Sequence, residues 1–508
     1  MDIGKFLRKL SGKDWGVHPD DHKRPAADAR VRALPIPPRV HLMLSQHVGA
    51  PSRPVVLIGQ KVLKGELIAA AQGNISAPLH ASTSGVVSAI GEIAAPHPSG
   101  LSGMAITIDT DGEDKWIDCD PVADPFALSA EEIARRVADA GVVGLGGATF
   151  PSSVKLNLGR RSSIDTLIIN GSECEPYLSC DERLMRDRTD DIVAGIRLML
   201  ISTGAKQARV GIEDNKPAAI AAMRAATSGH AEIEVVSVPA RYPMGSDRQL
   251  IIELTGREVP ADARAADVGV IVHNVGTAYA VQQAVCLGRP LVSRLMTLNG
   301  AAAAAPGNYE VVLGTLISEL VAFTGGTRGE PAKLVMGGPM MGMRLPHMQI
   351  PVVKGTSGVL LLDGYEAADS EPDPCIRCGS CVKACPMGLL PLEMAARIRN
   401  DALTDAVDLG LKDCIACGCC AWVCPSRIPL VQYFVHAKGE LSSQDRAKLR
   451  NDATRKLAQQ RQERLEREAR EKLEAAARRK AERAAQAAAA AEAKAQTKTA
   501  SVTEGESA

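Results

Sequence analysis

Nine of the thirteen cysteines fall between Cys375 and Cys424. They form two runs, Cys375-x2-Cys378-x2-Cys381-x3-Cys385-Pro386 and Cys414-x2-Cys417-x2-Cys420-x3-Cys424-Pro425, with Cys419 as an extra thiol inside the second. Soft thiolates match iron–sulfur iron, and close spacing lets one loop wrap three corners of a cube. The C-x2-C-x2-C-x3-C-P run is a [4Fe–4S] pattern, and here it recurs at an offset of 39 residues, an internal duplication. CxxC pairs also bind structural zinc. Two four-cysteine runs, each closed by Cys-Pro, favour iron–sulfur clusters. Cys419 reads as a bystander beside the ligands, the alternative being that it takes the place of Cys420.

Three further stretches carry groups suited to ligands. Gly144-Leu-Gly146-Gly147-Ala-Thr-Phe150-Pro151, with Lys155 following, offers exposed backbone N–H groups and a countercharge for a phosphate. It departs in spacing from the G-x-G-x-x-G dinucleotide fingerprint, and a helical pattern, not a strand, precedes it. A plain glycine-rich connection is the competing reading. Asn170-Gly-Ser172-Glu173-Cys174-Glu175-Pro-Tyr177 follows an apolar run ending at Ile169, and His273-Asn274-Val-Gly276-Thr277 follows another. Ligands of open α/β sheets bind beyond the carboxyl ends of strands, where both stretches would lie. For the first, a loop that merely caps a helix remains open. His273 is assigned no proton-transfer role.

The elements that must position these groups follow from pattern. A length of 508 residues suggests roughly three domains at about 150 residues each. The 59 basic residues balance 59 acidic ones, which argues against a nucleic-acid partner. No apolar run reaches the roughly 18 residues of a membrane span, and the first residues show no secretory signal, so the expected setting is cytosolic. Residues 1–30 read as a polar arm. Over 31–115, short β-rich runs at Val55–Ile58, Glu66–Ala70, Val86–Ile90 and Ala105–Ile108 predict a small sandwich or barrel. The stretch Gly59–Gly65, with Ala77-Pro78 and Gly85–Val87, looks like a lipoyl-type hammerhead, but its tip at Gly73-Asn74-Ile75 lacks the lysine that would be modified. Over 125–288, strand runs at Thr166–Ile169, Arg209–Ile212, Ile233–Val238 and Val268–Val272 alternate with helical stretches at 183–203, 216–228, 246–254 and 277–287. That alternation predicts a largely parallel sheet covered on both faces. Residues 289–345 form a compact α+β module, and 366–437 hold the two cysteine repeats, at about 366–395 and 405–434. From 441 to 508 the chain is rich in Ala, Lys, Arg and Glu, open between one long helix held by i,i+4 pairs and disorder.

GLGGATFP, NGSECEPY and HNVGT, in this order, resemble the flavin- and NADH-binding domain of the complex I flavoprotein. With a hammerhead before, PGNYEV after and the double cysteine run beyond, the whole is similar to the RnfC/RsxC family of the Rnf/Rsx ion-translocating electron transport complex. The resemblance covers roughly 1–440 and implies a multidomain α/β and α+β chain: barrel-sandwich, Rossmann-like FMN/NADH domain, soluble-ligand-binding β-grasp module and a two-cluster ferredoxin domain. It implies that Gly144, Gly146, Gly147 and Lys155 hold FMN phosphate and ribityl. Asn170, Glu173, Asn274 and Thr277 would line the flavin, and Phe150 and Glu175 the nicotinamide nucleotide, with Tyr242–Asp247 completing that site. Leu145, Ser172, Ser246 and Asp247 depart from the complex I pattern, which bears on nucleotide contacts more than on flavin contacts. The cysteine runs resemble those of two-cluster ferredoxins, whose fourth cysteine serves the other cluster. Carried over, Cys375, Cys378, Cys381 and Cys424 hold one cluster, and Cys385, Cys414, Cys417 and Cys420 the second.

A flavin accepts hydride and releases single electrons, whereas a cluster takes one at a time. The expected path is NADH to FMN to the two clusters, then to ferredoxin or to integral-membrane and peripheral partner subunits, on the cytoplasmic side of the inner membrane. Two rival functions are a soluble diaphorase component of a hydrogenase or formate dehydrogenase, and a cluster-only electron wire.

Overall fold

The structure is a computed structural model that describes residues 15–160, 162–367 and 371–503. After a two-residue strand β1 (Arg32–Ala33), the chain builds two antiparallel sheets. One has the order β2 (Arg39–Met43), β8 (Ser102–Thr110), β7 (Gly85–Ala94), β4 (Lys61–Val62). The other runs β3 (Arg53–Pro54), β5 (Leu67–Ala70), β6 (Leu79–His80). Val40, Leu42, Ile68, Ala81, Val87, Ile106 and Ile108 fill the space they enclose. Val55–Ile58 is not a strand. The Gln60 side chain accepts the Leu57 N–H at 3.1 Å and Gly59 takes φ +88°, so the run turns and leaves Leu57 and Ile58 exposed.

Four strands then pair in parallel in the order β11 (Ile233–Val238), β10 (Gln207–Glu213), β9 (Thr166–Asn170), β12 (Val270–Asn274). Strands with apolar side chains on both faces need helices on both, and the core on one side joins Leu167, Ile169, Val210 and Ile271 to Ile196, Met199, Val281 and Val285. The single helix expected over 183–203 is two, Cys180–Asp187 and Thr189–Thr203, because Arg188 leaves helical geometry (φ −132°, ψ 36°).

The next sheet has the order β1, β14 (Gly307–Val312), β13 (Ser293–Asn299), β17 (Gly358–Leu362), β15 (Lys333–Met336), β16 (Met343–Leu345). It is wider than the 289–345 span expected. β17 pairs with both β13 and β15, and Arg32–Ala33 adds along β14, so both flanking segments supply main-chain partners.

The cysteine duplication is visible in the backbone. Left-handed residues recur at the same offset: Arg377 and Ala416, Gly379 and Gly418, Gly388 and Arg427. The first compact unit ends at Phe434, and from Val435 the second is the remainder of one helix, Leu430–Thr503. The expectation for 441–508 is thus met by helix through Thr503; the residues after it lie outside those described. Among the described residues no helix is long and apolar enough to cross a membrane.

Candidate functional site

β9 and β12 are neighbours in register, which sets Asn170 opposite Asn274 at the carboxyl edge of the sheet. Strand order reverses here, where α/β sheets open a crevice for ligands. Asn170 Oδ1 accepts the Ser172 N–H at 3.0 Å, and its Nδ2 donates to the Gly245 carbonyl at 2.8 Å. Asn274 Oδ1 accepts the Gly276 N–H at 2.8 Å, capping the helix Val275–Cys286, while its Nδ2 donates to Asp181 at 2.6 Å. Buried Thr277 accepts the Leu145 N–H at 2.9 Å, which fastens the glycine loop to that helix's first turn.

The loop is closed by Gly144 N–H donating to the Phe150 carbonyl at 2.8 Å. A Cβ at Gly146 would meet Asn274 Cβ at 3.3 Å, so this glycine permits close packing. Gly147 has φ +105° with nothing within 4 Å of where its Cβ would stand. Backbone open to free space beside a helix N-terminus is a cradle a phosphate fits. The buried Ser172 hydroxyl has no hydrogen-bond partner, which also suits a ligand's polar edge. Lys155 donates to the Val272 carbonyl at 3.1 Å, and burial lowers its pKa. Burial and the neighbouring Lys155 hold His273 down to about 3, so the imidazole is neutral, in line with its having no proton-transfer role.

The two glutamates of NGSECEPY do different things. Glu173 accepts the Asp181 and Glu182 N–H groups at 2.7 and 3.1 Å, capping the helix Cys180–Asp187; its carboxylate is committed to helix amides. Glu175 accepts the Met340 and Met341 N–H groups at 3.1 and 2.8 Å, and burial pushes its pKa up to about 7.

Sequence reasoning missed what holds this loop. Lys23 is buried, and its ammonium donates to the carbonyls of Glu173 and Glu175, each at 2.9 Å, and of Leu178. His22 stacks on Tyr177 at 4.7 Å. Glu173 and Tyr177 both have positive φ, a conformation that such clamping sustains. Asp20-Asp21-His22-Lys23-Arg24 looks in sequence like a solvated run, so no signal marked Lys23. Asp181, whose carboxyl is raised by burial and then by Glu173, was likewise hidden behind an ordinary helix start.

The cysteines enclose two cavities. One is lined by Cys375, Cys378, Cys381 and Cys424, the other by Cys385, Cys414, Cys417 and Cys420. Each cage draws its fourth cysteine from the other run. Amides already point at sulfur: Arg377 N–H to Cys375 and Ala416 N–H to Cys414 in equivalent positions, and Leu389 N–H to Cys385, each at 3.4 Å. Burial, then the nearby Cys417, Cys414 and Cys385 sulfurs, pushes the Cys420 thiol up, a crowding of donors that a bound cluster would relieve. Both donor sets fit a cubane. Cys419 lines neither cavity; it is fully buried against Val17, Tyr242, Ala384 and Cys417.

The cages differ in setting. Cys375 and Cys378 are exposed, whereas Cys417 and Cys420 are buried. The second cage abuts the strand-edge region: the Tyr242 hydroxyl donates to the Cys417 carbonyl at 2.6 Å, and Gln249 donates to the Pro386 carbonyl at 3.0 Å. Val17 bridges to Tyr242 and Gly16 N–H reaches the Ala384 carbonyl, so the N-terminal segment straps the two regions together.

Three domain families match the chain: an RnfC barrel sandwich hybrid domain at residues 13–113, a Nuo51 FMN-binding domain at 137–283 and a 4Fe-4S dicluster domain at 374–428. The RnfC-type component of the Rhodobacter capsulatus ion-translocating oxidoreductase complex is 50% identical over 434 residues, 85% of this chain and 84% of that protein. Its counterpart in the proton-translocating ferredoxin:NAD(+) oxidoreductase complex of Clostridium ljungdahlii is 44% identical, over 84% of this chain and 93% of its own. A solved NAD+-reducing [NiFe]-hydrogenase in its H2-reduced state aligns with a TM-score of 0.44 and 23% identity, over 57% of this chain and 56% of that one.

Proposed function

Since the chain belongs to the RnfC family of ion-translocating oxidoreductase complexes, we propose that it is the peripheral electron-transfer subunit of such a complex, carrying electrons between NADH and downstream partners. FMN bound at the strand edge would supply the conversion of hydride into single electrons. Gly146, Gly147 and the first turn of Val275–Cys286 would receive its phosphate, with Lys155 as countercharge. Asn170, Asn274 and Thr277 fix the loops that surround it, and Glu175 and Phe150 stand where the nicotinamide nucleotide would approach. Glu173 acts by holding the helix that presents Asp181, through amides and not through the flavin.

The observation that carries the reading is the bond from Tyr242 to the Cys417 carbonyl at 2.6 Å, because it joins the flavin-type pocket to one cage directly. Cys385, Cys414, Cys417 and Cys420 would hold the cluster nearer the flavin, and Cys375, Cys378, Cys381 and Cys424 the one that faces the next carrier. Ferredoxin is the proposed soluble partner, supported by the name of the Clostridium relative. Ion translocation belongs to membrane-embedded partner subunits, and the chain sits with them on the cytoplasmic face of the inner membrane. We read the parallel sheet as Rossmann-like, the mixed sheet as the β-grasp module, and the first two sheets as the hammerhead.

Anaerobic purification with flavin, iron and sulfide counts, followed by NADH titration, tests this. One FMN, about eight iron and eight sulfide per chain, and cluster bleaching by NADH are expected from two cubanes. Clusters without flavin, unmoved by NADH, would leave only an electron wire.

A further inference from the structure

Behind the glycine loop lies a second cavity, of about 820 Å³, within the ~300–1,000 Å³ typical of small-molecule sites. Leu145 and Gly276 close one end, Tyr279 and Gln283 of the helix Val275–Cys286 form a side, and Trp116 and Arg289 stand at the other end. Neither Gly146, Gly147, Asn170 nor Lys155 lines it, so it is distinct from the strand-edge pocket. It forms where the barrel sandwich, the parallel-sheet domain and the mixed sheet meet.

Its wall is basic in a particular way. Lys64 pairs with Asp114 at 2.6 Å and Arg183 pairs with Asp187, so these charges are matched. Among the acids left, Glu310 accepts from the Ser293 hydroxyl at 3.1 Å and Asp181 from Asn274 at 2.6 Å. Arg30, Arg188 and Arg289 line the same cavity and have no ion pair among the described residues. The Arg289 guanidinium lies over Trp116, 5.5 Å from the ring centre, which holds it at the rim. Buried Arg294 is fixed by donation to the carbonyls of Leu145 at 3.1 Å and Thr356 at 3.2 Å, and so ties the cavity wall to the glycine loop.

A guanidinium presents a planar fork of donors that fits phosphate oxygens two at a time. Three without a carboxylate partner, around a space of nucleotide size with the Tyr279 hydroxyl and Gln283 amide on its side, select a phosphorylated ligand over a neutral one. We propose that this cavity binds a phosphorylated small molecule of nucleotide size, its phosphates on Arg30, Arg188 and Arg289. The source of that chemistry is a nucleoside polyphosphate or free pyrophosphate.

The test is calorimetry on the full-length holoprotein with ATP, pyrophosphate and adenosine as probes, beside Trp116 fluorescence with Trp116→Phe as the control. Saturable binding of ATP or pyrophosphate that falls at least tenfold in an Arg188→Glu/Arg289→Glu variant is expected, with flavin content and circular dichroism unchanged. Adenosine should not bind here. ATP tighter than pyrophosphate assigns part of the affinity to the base; equal affinities assign it to phosphate alone. No saturable binding to the parent protein, or binding undiminished in the variant, overturns the proposal. An Arg188→Gln/Arg289→Gln variant, which removes charge without reversing it, serves if the first fails to fold, and the same two readings apply to it.

Discussion

The two cysteine cages come from one duplicated sequence yet sit in opposite surroundings. The Cys385/Cys414/Cys417/Cys420 cage is walled by Tyr242, Gln249 and the buried Cys419, and its thiols are largely shielded. The Cys375/Cys378/Cys381/Cys424 cage keeps Cys375 and Cys378 at the surface, next to exposed Ile376. Duplicated loops supply equal ligands; the packing around them assigns one to reception and the other to delivery. Burial and amide bonds to sulfur are levers on cluster potential, so unequal surroundings also predict unequal potentials.

The largest expected effect breaks the pairing itself. Cys424→Ala should lose the cluster it shares with Cys375 and keep the other, halving iron content, so its low-temperature EPR should match that of Cys375→Ala. A spectrum matching Cys414→Ala instead would mean that each run serves its own cluster. Next, Lys155→Ala removes the countercharge at the glycine loop. A charge-assisted hydrogen bond is worth roughly 1.5–3 kcal/mol, so FMN affinity should fall on the order of tenfold to a hundredfold while both clusters stay. Equal flavin retention would remove Lys155 from the site.

How much of this was legible in sequence differs between cages and pocket for a physical reason. Four cysteines at fixed short gaps carry their geometry locally, so the ligand sets could be written down before any fold was known. The strand ends at Asn170 and Asn274 were legible too, because apolar runs followed by polar loops mark the carboxyl edge of a parallel sheet. Lys23 was not: its three carbonyl partners come from a loop about 150 residues away, and only tertiary packing turns a polar arm into a clamp. Glu173 was misread for the opposite reason, since a carboxylate that caps a helix and one that faces a ligand look alike in sequence. Val55–Ile58 shows the limit of β-propensity, since a turn fixed by Gln60 and Gly59 overrode it.

A smaller effect concerns the contact between the two regions. The folded-state pKa of Glu175 is raised above its ordinary value to about 7. Between about pH 4.5 and 7 the folded protein therefore holds a proton that the unfolded chain has lost, and this group makes stability fall as pH rises through that window. Glu175→Gln should flatten the decline in thermal midpoint between pH 5 and 7, read by scanning calorimetry. An unchanged slope would show that the carboxyl is ionised throughout. The smallest effect is expected at the far end of the chain. The described side chains beyond Lys448 are exposed, so deleting 441–508 should leave NADH-dependent cluster reduction within error of the full chain in a stopped-flow assay. Loss of that reduction would place part of the electron path in the helix.

The order of the cages is tested most directly by rapid-freeze EPR after mixing with NADH. In Cys375→Ala, which keeps only the Tyr242-facing cluster, that cluster should be reduced at the parent rate. In Cys414→Ala, which keeps only the surface cluster, the flavin should still be reduced while the remaining cluster lags by at least tenfold. Parent-rate reduction of the surface cluster in Cys414→Ala would contradict the account, because electrons would then reach the exposed cage without passing the one that Tyr242 touches.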